Sequence, residues 1–190
     1  MPINRRNFLR NTSFTLAGTG IASVMPMELL AKIRKNISPA DQIRVGVIGC
    51  RNQGWNDLVS LLKIPEVTCH ALCDIDQAIL AERKADLEKI NIKPVLYSDY
   101  RKLLDDKNID VVVIATPDHW HCLLMTDACS AGKDILLEKP VSNSIHESQI
   151  MLKAANKSRS IIQVNQWQRS MSHFKNAISY VQSGKLGRVS

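Results

Sequence analysis

No apolar run in this chain reaches the roughly 18 residues that a membrane-spanning helix needs, so no stable membrane insertion is expected. The sequence also has no CxxC pair, no internal repeat and no low-complexity stretch. Its five cysteines (Cys50, Cys69, Cys73, Cys122 and Cys129) are odd in number and dispersed. That excludes a small disulfide scaffold and offers no zinc-ligand spacing; no metal is expected. Cys69 and Cys73, four apart in an apparent strand, are expected on one face, and all five read as small buried hydrophobes. A dense Lys/Arg stripe is missing too, although the net charge is +7. Residues 1–40 carry six basic residues and one acid, whereas residues 41–190 carry 19 basic and 17 acidic ones. The basicity is mostly a property of the leader, and no nucleic-acid partner is expected. What is present is a chain of 190 residues, 45% hydrophobic and 23% charged. Those values suit a real core and exclude a disordered or collagen-like chain.

The first forty residues read as an address. Arg5-Arg6-Asn7-Phe8-Leu9-Arg10 is followed by an uncharged, small-residue segment from Asn11 to Met27. A positive segment ahead of a modestly apolar one is the build of an export signal. The Arg-Arg pair before Phe-Leu resembles the twin-arginine signal, here over residues 1 to about 31. The expected location is the periplasm, reached by a protein that has already folded. A basic amphipathic helix or a lipoprotein-type leader is the plainer alternative.

From residue 41 onward, apolar runs alternate with helical patterns. Strands are expected at Ile43–Ile48, Val67–Cys73, Pro94–Tyr97, Asp110–Ala115, Asp134–Leu137 and Ile161–Val164. Val111-Val112-Val113-Ile114 is apolar on both faces, as a buried parallel strand is. Helices are expected between the strands: one carrying Leu58, Leu61 and Leu62, then Ala78–Ile90, Tyr100–Leu104, and His119–Ala131 before Gly132. Ser144-x-x-Glu147 is a capping box for a helix reaching Lys157, and Met171–Gln182 forms another. Gly187–Ser190 reads as a new strand. The alternation predicts a doubly wound parallel α/β sheet, a Rossmann fold. The expected division is a leader and linker at 1–40, a dinucleotide-binding domain at 41–168, and a connecting helix with the start of a second domain at 169–190.

Three motifs carry chemistry. The first strand runs into Gly49-Cys50-Arg51-Asn52-Gln53-Gly54. In a dinucleotide fingerprint the first Gly makes the tight turn, the second admits the pyrophosphate, and the third lets helix and strand pack closely. Gly49 and Gly54 fill the first and third places, and Arg51 stands in the second. Two placements of Arg51 are open: along the pyrophosphate, adding charge, or crowding it. Asp74 ends the next strand 25 residues after Gly49. A carboxylate there accepts hydrogen bonds from a ribose and repels a 2′-phosphate, which favours NAD over NADP. A Rossmann-like domain without a nucleotide is the alternative.

Thr116-Pro117-Asp118-His119-Trp120-His121 follows the buried strand, at the edge where such sheets bind ligands. His119 and His121 are two apart and share no helical face, so they do not make a metal pair. His121 reads either as a packed or capping residue or as a pocket-lining one. Glu138-Lys139-Pro140 follows the next strand. An ammonium there can orient a substrate hydroxyl or, when desolvated, move a proton; an ordinary surface Lys is the plainer reading.

Together these pieces resemble the Gfo/Idh/MocA, or glucose–fructose oxidoreductase, family. The resemblance runs from about Ile43 to Ser190. It is carried by Val-Gly-Val-Ile-Gly at 45–49, Asp74, Ala115-Thr116-Pro117 with His121, Glu138-Lys139-Pro140, Gln163 to Ser170, and Gly184 to Val189. It implies a Rossmann domain for NAD(H) or NADP(H), and a C-terminal α/β domain that holds a sugar-type substrate and commonly makes homo-oligomer contacts. It implies that Lys139 is the catalytic or substrate-orienting residue. By the same resemblance Gly49, Arg51, Asn52 and Gln53 form the pyrophosphate turn and Asp74 meets the adenosine ribose. Thr116, Pro117, His121, Glu138, Lys139 and Gln166 then lie near the nicotinamide. The expected activity is hydride transfer between a sugar carbinol and the nicotinamide. An NAD-dependent glycosidase of the same superfamily is the alternative. Arg51 and Asn165 depart from the family pattern. So does length, since members of the family are usually much longer than this chain. The chain therefore reads as an N-terminal fragment, a nucleotide-binding piece that lacks catalysis on its own and exposes the face a second domain would cover.

Overall fold

The computed structural model describes residues 41–188; the expected export signal lies outside the described residues. Six strands form one sheet: β1 (Ile43–Ile48), β2 (Val67–Cys73), β3 (Val95–Tyr97), β4 (Val111–Ile114), β5 (Asp134–Leu137) and β6 (Ile162–Val164). Their order is β3-β2-β1-β4-β5-β6, and every pairing is parallel. Helices α1 (Asn52–Leu61), α2 (Gln77–Glu88), α3 (Tyr100–Asp105), α4 (His121–Ser130) and α5 (Ile145–Lys157) connect the strands, and α6 (Ser172–Gln182) follows them. This is the doubly wound architecture expected from the alternation.

Both faces of the sheet are covered. Val45, Val47, Val111, Val113 and Leu136 pack with Leu58 and Leu61 of α1 and Leu80 and Leu87 of α2. Ile48, Val112, Ile114, Ile135 and Leu137 pack on the opposite side with Leu103 of α3, Leu124 and Met125 of α4 and Met151 of α5. All four residues of β4 are buried, so its lack of polar alternation follows from its central place. Each such side chain contributes about 1.5–3 kcal/mol on burial. Helix α6 buries none of its residues and leaves Phe174, Ile178, Tyr180 and Val181 exposed.

The helix starts follow local chemistry. The Asp76 carboxylate accepts from the N–H groups of Ala78 and Ile79 at the start of α2, and Asp99 accepts from Arg101 at the start of α3. Ser144 Oγ accepts from Glu147 N at 3.2 Å. The other half of that capping box is shifted by one residue, since Glu147 Oε2 accepts from the N–H of Asn143 rather than of Ser144. Helix α1 is different: no side chain caps it and its first turn holds no acid.

Two expectations are corrected. Cys69 and Cys73 do not share a face. The β1–β2 register passes from Val45 opposite Cys69 to Gly46 opposite Ala71, leaving His70 as an extra residue. This bulge reverses the side-chain alternation, so Cys69 packs on the α1/α2 side and Cys73 on the α3/α4 side. His70 Nε2 meets Asp106 at 3.0 Å. All five cysteines are free, and four are buried. The strand expected at the chain end is also not formed over Gly187 and Arg188; Val189 and Ser190 lie outside the described residues. Among the described residues, no helix is long and apolar enough to cross a membrane, and no His/Cys/Asp/Glu group could hold a metal ion.

Candidate functional site

The chain builds outward from β1 to β2 and β3, then returns to place β4 on the other side of β1. That reversal opens a crevice beyond the carboxyl ends of β1 and β4, the place where sheets of this kind bind ligands. The sequence-predicted residues gather along this edge. Gly49 ends β1, Asp74 follows β2, Thr116 and Pro117 follow β4, Glu138 and Lys139 follow β5, and Gln166 follows β6.

Gly49 has φ +90°, and a Cβ there would lie 2.8 Å from the carbonyl oxygen of Ala115. A Cβ on Gly54 would lie 1.9 Å from the carbonyl oxygen of Gly49. The turn therefore presses against the β4 loop, and α1 presses against the turn. Helix α1 begins at once, with Asn52 and Gln53 exposed in its first turn. An uncapped helix start without an acid presents backbone N–H groups and a positive dipole end, which suits a phosphate.

Asp74 stands beside that turn. Its Oδ2 accepts from Cys50 N at 2.8 Å and its Oδ1 from Asp76 N at 3.0 Å. These bonds fix the carboxylate with acceptor capacity remaining for a ribose diol. The Arg51 guanidinium pairs with the Asp76 carboxylate. The hydrogen bonds of Asp76 to Ile79, Ala78 and Arg51 hold its carboxyl below the usual range. The Asp74 carboxylate repels a 2′-phosphate, whereas the charge of Asp76 is offset by Arg51. The uncapped start of α1 and the fixed Asp74 carboxylate fit a dinucleotide such as NAD.

At the other end of the crevice, Lys139 and Pro140 are exposed and Glu138 is buried. Glu138 Oε2 accepts from the backbone N–H of Lys139 at 3.0 Å. Glu138 Oε1 accepts from Gln53 Nε2 at 3.3 Å and from Asn165 Nδ2 at 2.5 Å. Both amides also donate to Asp57 Oδ1, Gln53 at 2.9 Å and Asn165 at 3.0 Å. This cluster joins the start of α1 to the ends of β5 and β6. Burial first, then the Glu138 charge, pushes the Asp57 carboxyl up to about 7.

His121 is placed by the structure as a clip rather than an open pocket wall. It is buried, with Nδ1 2.8 Å from the Pro140 carbonyl oxygen and Nε2 2.9 Å from that of Thr116. A neutral ring donates to only one of these; donation to both needs a proton on each nitrogen. The ring thereby ties the loop after β4 to the loop after β5. The Thr116 hydroxyl is buried without a hydrogen-bond partner. Gln166 is exposed beside Asn165 and lines a pocket of about 240 Å³ with Trp167 and Arg169.

Asp57 was not singled out from sequence. Its signal was its spacing: Gly54, Asp57, Leu58 and Leu61 fall on one helical face, and all four are buried. An acid on the buried stripe of a helix needs a polar destination.

A family model described as "Oxidoreductase family, NAD-binding Rossmann fold" (GFO_IDH_MocA) matches residues 43–166. The uncharacterized oxidoreductase YrbE of Bacillus subtilis is 35% identical over 146 residues, covering 77% of this chain and 42% of that protein. Glycosyl hydrolase family 109 protein 2 of Shewanella sp. (strain ANA-3) is 31% identical over 159 residues, covering 76% of this chain and 35% of that protein. Among solved structures, the WlbA dehydrogenase from Chromobactrium violaceum, in complex with NADH and UDP-GlcNAcA, superposes with a TM-score of 0.67 at 25% identity. That match covers 77% of this chain and 41% of the other. The chain thus spans less than half the length of each of these proteins.

Proposed function

Because the match extends over more than half of its residues, the chain belongs to the Gfo/Idh/MocA oxidoreductase family with an NAD-binding Rossmann fold, and we propose that it is the coenzyme-binding part of an NAD-dependent enzyme acting on a sugar or sugar derivative. The observation that carries this reading is the convergence on one sheet edge of the Gly49–Gly54 turn, Asp74 and the Glu138-Lys139 turn. When bound, NAD supplies the hydride acceptor or donor. The chain's own residues supply placement: the N–H groups of α1 meet phosphate, Asp74 meets the ribose, and Gln53 and Glu138 tie the two ends of the crevice together. Lys139, whose backbone is held by Glu138 and whose side chain is exposed, is placed to orient a substrate hydroxyl and move its proton. NAD is favoured over NADP by Asp74. The sugar-type substrate is supported by the UDP-GlcNAcA bound to the WlbA dehydrogenase, and homo-oligomerisation of the whole enzyme rests on the family resemblance alone.

A second reading is favoured by the glycosyl hydrolase relative: a glycoside would be oxidised transiently by NAD held in the same site, the leaving group would be eliminated and water added in its place, and the hydride would be returned, so that the net reaction is hydrolysis. Washed protein is expected to release NAD on denaturation. An enzyme of the relatives' length is expected to form NADH with a sugar under the first reading, and to cleave an aryl glycoside without net NADH under the second. A protein that neither retains nor binds NAD(H) or NADP(H) sinks both.

The Arg5-Arg6-Asn7-Phe8-Leu9 motif supports export by the twin-arginine route to the periplasm, with the nucleotide carried in the folded protein. Replacing both arginines by lysine is expected to leave the protein inside the cell on fractionation; unchanged export would sink this assignment.

A further inference from the structure

The polar cluster beneath Lys139 holds two carboxyl groups and no cation. Asp57 is 3% exposed, Glu138 4% and Asn165 2%. The two carboxyl groups are bridged by the same two amides, since Gln53 Nε2 and Asn165 Nδ2 each donate to Asp57 Oδ1 and to Glu138 Oε1. The donors that face them are the Gln53 and Asn165 amides and the Lys139 backbone N–H. Glu138 receives all three, with both of its oxygens engaged. Asp57 receives the two amides on Oδ1 only, and its Oδ2 is buried without a partner. Two negative charges in such a space are not compensated, because neutral amides stabilise one carboxylate far better than a close pair. A carboxylic acid beside a carboxylate removes the conflict: it replaces one charge and provides the hydrogen that the partnerless oxygen lacks.

We propose that Asp57 and Glu138 hold a single proton between them, and that Asp57 is thereby a positioning residue, keeping Glu138 on the Lys139 backbone and the Gln53 turn on the same anchor. The proposal deepens the coenzyme-binding reading and rests on it for its consequence, though not for the proton itself. With the proton present, the ends of β5 and β6 and the start of α1 form one hydrogen-bonded unit. On its loss, repulsion between the carboxylates pushes Glu138 away from its three donors, so both ends of the crevice loosen together. Glu138 is the titratable group facing Asp57; the other groups acting on it are Gln53 and Asn165. The sign follows from the raised position of the Asp57 carboxyl. The stability it contributes is fully present below the unfolded value near 4 and is lost as pH climbs through about 7.

Infrared difference spectra of the 190-residue chain between pH 6 and pH 9 test the proton directly. A protonated-carboxyl C=O band present at pH 6 and gone at pH 9 is expected. It should be missing in Asp57→Asn, which keeps the shape and cannot titrate, and in Glu138→Gln, which removes the second charge but not the burial, it should vanish at a lower pH than in wild type. NAD titrations test the positioning. Wild-type affinity is expected to fall about tenfold from pH 6 to pH 9, the size of coupling between adjacent sites, while Asp57→Asn binds equally at both. A wild type without the band at pH 6, or an Asp57→Asn protein with the same pH-dependent fall, overturns the proposal. Because the infrared measurement needs no nucleotide, a chain that shows the band but binds no NAD at any pH overturns the positioning role and the coenzyme reading, and leaves the shared proton standing.

Discussion

Gly54→Ala is expected to cost about 3 kcal/mol or more, the upper end for forcing atoms into a filled space, and to abolish NAD retention. The added methyl would lie 1.9 Å from the carbonyl oxygen of Gly49 and 3.0 Å from the Ala115 side chain. The first of these is backbone at the centre of the phosphate turn, so no side-chain rotation relieves it. Helix α1 must lift from β1, taking with it the buried Leu58 and Leu61 and the N–H groups that face the phosphate. Against a total stability of about 5–15 kcal/mol, such a loss is large enough to lower the yield of folded protein. Gly132→Ala is the control. Unlike the helical Gly54 it has positive φ, +70°, but it meets nothing within 4 Å, so it is expected to cost only the conformational strain, about 1–2 kcal/mol, with NAD affinity unchanged. Urea denaturation and nucleotide titration of both variants check the pair. A Gly54→Ala protein within 1 kcal/mol of wild type and still carrying NAD would show that the close approach of helix and turn is not what builds the site.

Lys139→Met should lower kcat by about 10²- to 10⁴-fold, the usual range for a lost proton-transfer group, in any preparation that turns over its substrate. Two other quantities are expected to stay still. Thermal stability should not move, because the side chain is exposed and the backbone N–H that bonds Glu138 is kept. NAD affinity should change by no more than a few fold, since the phosphate turn and Asp74 are untouched. Steady-state kinetics, thermal melts and NAD titration separate these effects. A kcat within about tenfold of wild type would remove Lys139 from the proton-transfer role; a matched loss of NAD affinity would make it a binding residue instead.

The contrast between Gly54 and Lys139 shows how the fold and the site were unequally readable. Gly54 could be read as the third fingerprint glycine from its local context, because a strand precedes the turn, a helix follows it and an acid ends the next strand. Lys139 could not. A lysine after a strand is ordinary until the surrounding set of motifs gives it a context.

Arg51 shows the same limit. The sequence placed it in the second fingerprint position and left its direction open. Its guanidinium goes to Asp76 because that carboxylate, fixed as the cap of α2, is the acid at the neighbouring strand end. His121 was legible as either a packed or a pocket residue; two backbone carbonyls, brought together from loops 24 residues apart (Thr116 and Pro140), made it the former.

The sequence by itself determined the α/β alternation, the strands and their burial, the fingerprint turn and the acid beyond β2. Each of these is a local pattern of apolar period, glycine and cap, so neighbouring residues suffice to specify it. The tertiary structure alone decided what depends on distant partners or on a single inserted residue. The bulge at His70 sends Cys69 and Cys73 to opposite faces, because side-chain alternation counts residues and the pairing strand skips one. The Asp57–Glu138–Asn165 cluster exists because three elements separated by up to 108 residues end at one place. Whether a buried carboxyl is charged is set by the donors and charges around it, and those are known only once the chain has closed.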